Sequence, residues 1–162
     1  MINRTAHALF VLFLLFWHTA PAYAAESSPW GTASVLDMDY KPGKVLYDLT
    51  TGDAEHLGNI LDRLAYLYRL YGADPMDSSI IVIIHGESIP FFAIDKFKDY
   101  RKLMAEAQSL TVGTTIEFRM CRTAAKILDY EPEDIHGYIK MVPMADAEIV
   151  RLQQEEGYAY MR

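Results

Sequence analysis

The stretch "SSIIVIIHG", residues 78–86, decides the fold class of this chain. It contains five consecutive β-branched apolar residues, Ile80 to Ile84, which favour a strand. A strand with one face in water alternates apolar and polar residues, whereas an unbroken run suits a strand that is covered on both faces. The stretch therefore predicts the centre of a parallel sheet.

The segments on either side alternate between strand and helix patterns. β-rich runs predict three further strands, and apolar residues at helical spacing predict four helices. Asp53 is the expected N-cap of the first helix, and Gly72 its expected stop. The strands are expected over 44–50, 114–120 and 137–144, the helices over 53–71, 94–110, 121–130 and 145–157, and a short edge strand around Tyr158 and Tyr160. This order predicts a single α/β domain with a three-layer, parallel-sheet, flavodoxin-like architecture.

The N-terminus has the organisation of a secretory signal peptide. A short basic start is followed by the apolar run "ALFVLFLLFW" and by "PAYA", which places Ala22 and Ala24 at cleavage-site positions. We expect residues 1–24 to be removed after Ala24, so that the mature protein is periplasmic or secreted and has no membrane segment. The alternative is an uncleaved N-terminal anchor. Residues 25–43 form a predicted linker or N-terminal arm, and residues 44–162 the α/β domain.

Composition excludes several classes of function. The predicted mature chain has 14 Lys and Arg against 22 Asp and Glu, and this acidic balance argues against nucleic acid or anionic membrane as a partner. No pair of His or Cys has the spacing typical of metal ligands, and no phosphate-binding glycine motif is present. We therefore expect neither a metal nor a cofactor. Eleven tyrosines and a high apolar fraction in a small domain suit a homo-oligomer.

The stretch "IEFRMCRTAAKIL", residues 116–128, contains Cys121, the one cysteine of the chain. A lone cysteine cannot form a disulfide within its own chain. If a helix begins at Cys121, the unpaired N–H groups of its first turn favour the thiolate, and Arg119 or Arg122 could add positive charge. The alternative is an inert cysteine packed in the core.

His85 and Gly86 follow the most apolar strand, and the segment Thr50–Asp53 follows the first. Parallel sheets place ligands beyond the carboxyl ends of their strands, so both are expected near Cys121 at one edge of the sheet. His85 could act as a base for Cys121, and Gly86 would let a ligand approach the backbone. The alternative for His85 is a side chain that is satisfied by hydrogen bonds at a strand end.

The motifs "KVLYDLTTGD", "IIVIIHGESIPFF", "IEFRMCRTAAKILDYEPEDI" and "RLQQEEGYAYMR" occur in an order that resembles the DsrE/DsrF-like proteins. The resemblance runs from about Lys44 to Arg162. It implies a compact α/β domain that assembles as trimers or hexamers. It also implies sulfur transfer as a persulfide, with Cys121 in the position of the sulfur-carrying cysteine and His85 in that of a common strand-end histidine.

Two hypotheses follow. The first is an exported persulfide carrier that resembles a sulfurtransferase, with Cys121 and His85 at its centre, Arg119, Arg122 and Gly86 around the bound sulfur, and thiol-bearing proteins as donor and acceptor. The second is a non-catalytic oligomeric module that binds a small anion or a partner protein, with Cys121 inert or redox-sensitive. The relay proteins of the family are cytoplasmic, so export would separate this chain from their donors and acceptors.

Overall fold

The computed structural model describes residues 30–162. The predicted signal peptide lies outside them. The chain divides into two units, Met1–Asp37 and Met38–Arg162. In the second unit the strands are β1 (Lys44–Leu49), β2 (Ser79–Ile84), β3 (Ile116–Cys121), β4 (Ile139–Val142) and β5 (Ala159–Met161), and the helices are α1 (Ala54–Leu70), α2 (Phe97–Thr111), α3 (Arg122–Ile127) and α4 (Ala145–Glu155).

The five strands form one parallel sheet in the order β4-β3-β2-β1-β5. The apolar run of β2 lies at its centre, and each of its residues from Ile80 to Ile84 is at most 2% exposed. The α/β parallel-sheet prediction is confirmed, and the predicted edge strand at the C-terminus is confirmed as β5.

Helices cover both faces of the sheet. The larger cluster packs α1, α2 and Ala125 of α3 against one face. The smaller cluster packs Ala145 and Leu152 of α4 with Cys121 against the other. We call these the α1 face and the α4 face. Successive residues of a strand point to opposite faces, so strand position assigns each side chain to one of the two.

The boundaries of α1 follow from its sequence. Asp53 caps the helix, because its carboxylate accepts a hydrogen bond from the backbone N–H of His56 at 2.9 Å. Gly72, just past the end, has a φ of +75°, a conformation that glycine adopts without strain. The predicted cap and stop are both confirmed.

The segment after β2 differs from the prediction. Residues Gly86–Phe92 form a 3₁₀-helix that the sequence pattern did not indicate, and a second 3₁₀-helix, Ile94–Lys96, precedes α2. The first contains Pro90, which cannot donate a backbone hydrogen bond and so limits regular helix. Helix α2 therefore begins at Phe97 and not at residue 94. Within residues 30–162, no helix has the length and apolar character needed to cross a membrane.

Candidate functional site

A row of polar side chains crosses the carboxyl edge of the sheet on the α4 face. The row contains one side chain from the end of each of four neighbouring strands. In sheet order these are Cys121, His85, Asp48 and Tyr160. Cys121 belongs to the α4-face cluster itself. The other three residues each follow a member of that cluster by two positions, so all four side chains point to the α4 face; those members are Ile83, Leu46 and Tyr158.

Cys121 is the last residue of β3 and the N-cap of α3. Its Sγ accepts a hydrogen bond from the backbone N–H of Ala124 at 3.4 Å, and the residue is 5% exposed. The thiol thus lies against the free N–H groups of a first helical turn, which interact more favourably with a thiolate than with a thiol. Cys121 is therefore buried, and it also lies at the start of a helix.

His85 occupies the matching position on the adjacent strand. Met120 of β3 pairs with Ile84 of β2, so Cys121 and His85 are the next residues of two neighbouring strands. Both backbones stay extended, with φ and ψ of −65° and 108° at Cys121 and −156° and 175° at His85. Adjacent strands lie about 4.8 Å apart. Cys121 and His85 therefore occupy neighbouring strand positions, with both side chains on the α4 face.

The imidazole of His85 is held by a carboxylate. Its Nε2 lies 2.6 Å from Oδ1 of Asp48, and the two side chains are 25% and 11% exposed. The hydroxyl of Tyr160 donates to the other oxygen, Oδ2, at 2.5 Å. This hydrogen bond to Asp48 raises the pKa of Tyr160, since the phenol loses it on ionisation.

This network fixes the tautomer of the histidine. Asp48 as a carboxylate can only accept hydrogen bonds, so Nε2 of His85 carries the proton. In the neutral ring the other nitrogen, Nδ1, is then a free base. Within residues 30–162 no hydrogen bond to Nδ1 is formed.

The two arginines beside Cys121 have different surroundings. Arg119 donates to the carboxylates of Glu117 and Glu148, so its guanidinium bridges β3 and α4. Burial alone would lower the pKa of Arg119, and these hydrogen bonds raise it above its usual range. Arg122 is exposed and forms no ion pair within residues 30–162. Of the two, Arg122 is the one with its charge free for a ligand.

A cavity of about 640 Å³ opens at the same edge of the sheet. Its wall combines the segments that follow three strands: Gly52 after β1, Gly86 after β2 and Ala124 after β3. Gly86 has a φ of +62° and no atom near its missing side chain, so its backbone is open to the cavity. The segments after the three strands meet at this edge as expected, but Cys121 and His85 themselves do not line the cavity. The remaining wall is mostly apolar and consists of Glu87, Pro90, Phe91, Tyr100, Ile127 and Leu128.

Sequence reasoning missed Asp48 and Tyr160. Asp48 is an acid inside the apolar run "KVLYDLT", and a charged residue within a central strand is a signal of a paired or functional group. Tyr160 carried no comparable signal, because its role depends on β5 lying beside β1.

Within residues 30–162 no cluster of three or more His, Cys, Asp or Glu side chains is suited to hold a metal ion.

Comparison with known proteins adds the fold and nothing about activity. No protein-family model matches the chain. No curated protein matches it either. Among solved structures, it is similar to a protein of unknown function, MTH1491 from Methanobacterium thermoautotrophicum, with a TM-score of 0.57 and 17% sequence identity over 74% of this chain and 98% of that one. At this identity the similarity supports the α/β fold alone.

Proposed function

We propose that this chain is an exported, oligomeric member of the DsrE/DsrF-like proteins that carries sulfane sulfur as a persulfide on Cys121. The observation that carries the proposal is the placement of His85 beside Cys121, with Asp48 fixing the tautomer of the ring. A cysteine beside an oriented histidine is the usual arrangement of an activated thiol. The export step rests on the sequence pattern of residues 1–24.

The reaction has two steps with the same chemistry. The Cys121 thiolate attacks the outer sulfur of a donor R–S–SH, the S–S bond of the donor breaks, and its electron pair leaves with R–S⁻. Cys121 then holds the sulfur as Cys–S–SH. An acceptor thiolate attacks that outer sulfur, becomes the new persulfide and returns Cys121 as a thiolate. The predicted mature chain has no second cysteine, so the acceptor thiol must come from a partner.

Each neighbouring group has a role that follows from its contacts. Nδ1 of His85 takes the proton of the Cys121 thiol before the attack, and Asp48 stabilises the imidazolium that forms. The N–H of Ala124 stabilises the sulfur anion. The exposed Arg122 adds positive charge, whereas Arg119 fixes the end of β3 through Glu117 and Glu148.

One observation favours the second hypothesis, a binding module with an inert thiol. Cys121 is 5% exposed, and a buried thiol meets reagents slowly. The two functions differ in the alkylation rate of Cys121. If Cys121 is a carrier thiol, iodoacetamide alkylates it in the native protein at least as fast as it alkylates a free thiol. An inert core thiol reacts only under denaturing conditions.

Transfer itself is tested by charging and discharging the thiol. The protein is incubated with a persulfide donor, freed from it by gel filtration and mixed with an acceptor thiol, and its mass is followed with time. The proposal predicts gain of one sulfur, its loss to the acceptor, and neither change in Cys121→Ser. A persulfide that the native protein never releases to any thiol would overturn the carrier role.

A further inference from the structure

The predicted N-terminal arm contains the residue pattern of a strand, although it forms no strand in the described part of the chain. Residues 36–40, "LDMDY", alternate apolar side chains with Asp37 and Asp39. This period of two is that of a strand with one apolar and one charged face. Residues 30–43 nevertheless form no strand of the described structure before β1 begins at Lys44. Met38 and Tyr40 are 61% and 57% exposed.

The sheet has a matching free edge at β5. This strand pairs with β1 on one side, and within residues 30–162 no strand pairs with its other side. A strand that has unpaired N–H and C=O groups along one side can pair with a further chain. Beside this edge, on the α1 face, lies a groove of about 420 Å³. Its wall is formed largely by apolar and aromatic side chains, among them Tyr47, Tyr66, Leu67, Leu70 and Met161.

The charges at this edge fit the acids of the segment. The ammonium group of Lys44 lies 5.6 Å above the ring of Tyr158, which belongs to the α4 face, and donates to the backbone carbonyl of Glu156 at 3.2 Å. It forms no ion pair with a carboxylate within residues 30–162. Arg162 follows Tyr160 by two residues and so extends from the same face. An added strand that turns its apolar side chains into the groove turns its acids to the α4 face, which carries these two cations. The carboxylate of Asp48 on the same face is already bonded to His85 and Tyr160. At the opposite edge of the sheet, Lys140 is already paired with Glu117.

We infer that residues 36–40 of one copy of this chain add as a strand to β5 of a second copy. Leu36, Met38 and Tyr40 then fill the groove beside α1, and Asp37 and Asp39 face Lys44 and Arg162. We assign the occupant to a second copy, because the segment has the apolar face and the acids that fit this edge, while within its own chain residues 30–43 form no strand. The inference goes beyond sulfur transfer, since it concerns how subunits join.

Sedimentation velocity of three proteins across a hundredfold range of concentration tests the arrangement. The proteins are the full chain, its double variant Leu36→Asp/Met38→Asp, and the control Met76→Asp. Met76 is 88% exposed and lies outside both the arm and the groove, so it is a methionine that is exposed like Met38 but takes no part in the proposed contact. We expect the wild type and the control to assemble over the same range of concentration. The double variant should need at least a tenfold higher concentration to reach the same degree of assembly. Equal assembly of all three proteins, or a wild type that stays monomeric throughout, would overturn the inference.

Cross-linking gives a second measurement that does not depend on stability. In a Cys121→Ser background, chains with Met38→Cys are mixed with chains with Tyr66→Cys and treated with a short bis-maleimide. Tyr66 lines the groove and is 58% exposed. Arm exchange predicts a mixed cross-linked dimer, and none when Met76→Cys replaces Met38→Cys. Absence of the mixed dimer would contradict the exchange. An arm that pairs with its own chain would give no mixed dimer, because the two cysteines are on different chains.

Discussion

In the proposed reaction, Cys121 depends on two neighbours that sequence position alone could not supply. The N–H of Ala124 reaches its Sγ because α3 starts at the next residue. His85 occupies the neighbouring strand position because β2 and β3 are adjacent and end at the same level. Asp48 then fixes which ring nitrogen is basic. A change in any one of these contacts should alter the reactivity of the thiol more than the fold.

The rate at which iodoacetamide alkylates Cys121 at pH 7 reports the effect of His85 on the thiol. We expect His85→Ala to lower this rate on the order of tenfold or more, since the thiol loses its base. Asp48→Asn should lower it by a smaller factor, because the ring stays but its tautomer is no longer fixed. His56→Ala is the matched control, as His56 is exposed on α1. Equal rates in all four proteins would show that His85 does not act on Cys121.

Helix α4 is joined to the sheet by an ion-pair network as well as by apolar contacts. Glu148 accepts from both Arg151 and Arg119, and Glu117 accepts from Arg119 and Lys140. Hydrogen bonds from Arg151 lower the pKa of Glu148 below its usual value of about 4.5. Burial acts in the opposite direction, and the hydrogen bond from Arg119 adds to the lowering. Burial would raise the pKa of Glu117, but its hydrogen bonds to Lys140 and Arg119 lower it. The carboxylates thus stabilise the fold in their ionised form.

The sign of the pH dependence follows from these directions. A carboxyl group whose folded pKa is depressed stabilises the protein above its unfolded pKa, and this contribution is lost as the pH falls through the folded value. We expect the free energy of unfolding to decrease on acidification below about pH 4.5. Glu148→Gln should lower stability at pH 7 by about 1–3 kcal/mol and weaken the acid dependence. Urea denaturation monitored by circular dichroism at pH 7 and pH 3.5 measures both.

The control for this network lies on the same helix. Glu155 is exposed and forms no ion pair within residues 30–162, so Glu155→Gln should leave both the stability and its pH dependence unchanged. If Glu148→Gln behaves like Glu155→Gln, the network does not hold α4 to the sheet.

At the scale of the whole molecule, local patterns predicted most of the fold. The unbroken run Ile80 to Ile84 identified the central strand, and Asp53 and Gly72 marked the ends of α1, because these signals act over a few residues. The 3₁₀-helix Gly86–Phe92 was missed, since its conformation has no periodic signature. The network of Asp48 and Tyr160 was missed because it joins residues that are 112 positions apart, which strand order alone brings together.

The same strand order links the two proposals. Strand β5 places Tyr160 against Asp48 on the α4 face, and its other edge is unpaired within residues 30–162. If the arm of another subunit pairs with β5, assembly and the order of the Tyr160–Asp48–His85 network are physically connected.

Intact-mass spectrometry of the protein after incubation with a persulfide donor tests sulfur binding at Cys121 most directly. We predict a species heavier by one sulfur, about 32 Da, in the wild type, and its absence in Cys121→Ser. Peptide mapping should place the added sulfur on the fragment that contains Cys121. A wild type that gains no sulfur from any donor, or an added sulfur that persists in Cys121→Ser, would contradict the assignment of Cys121 as the carrier.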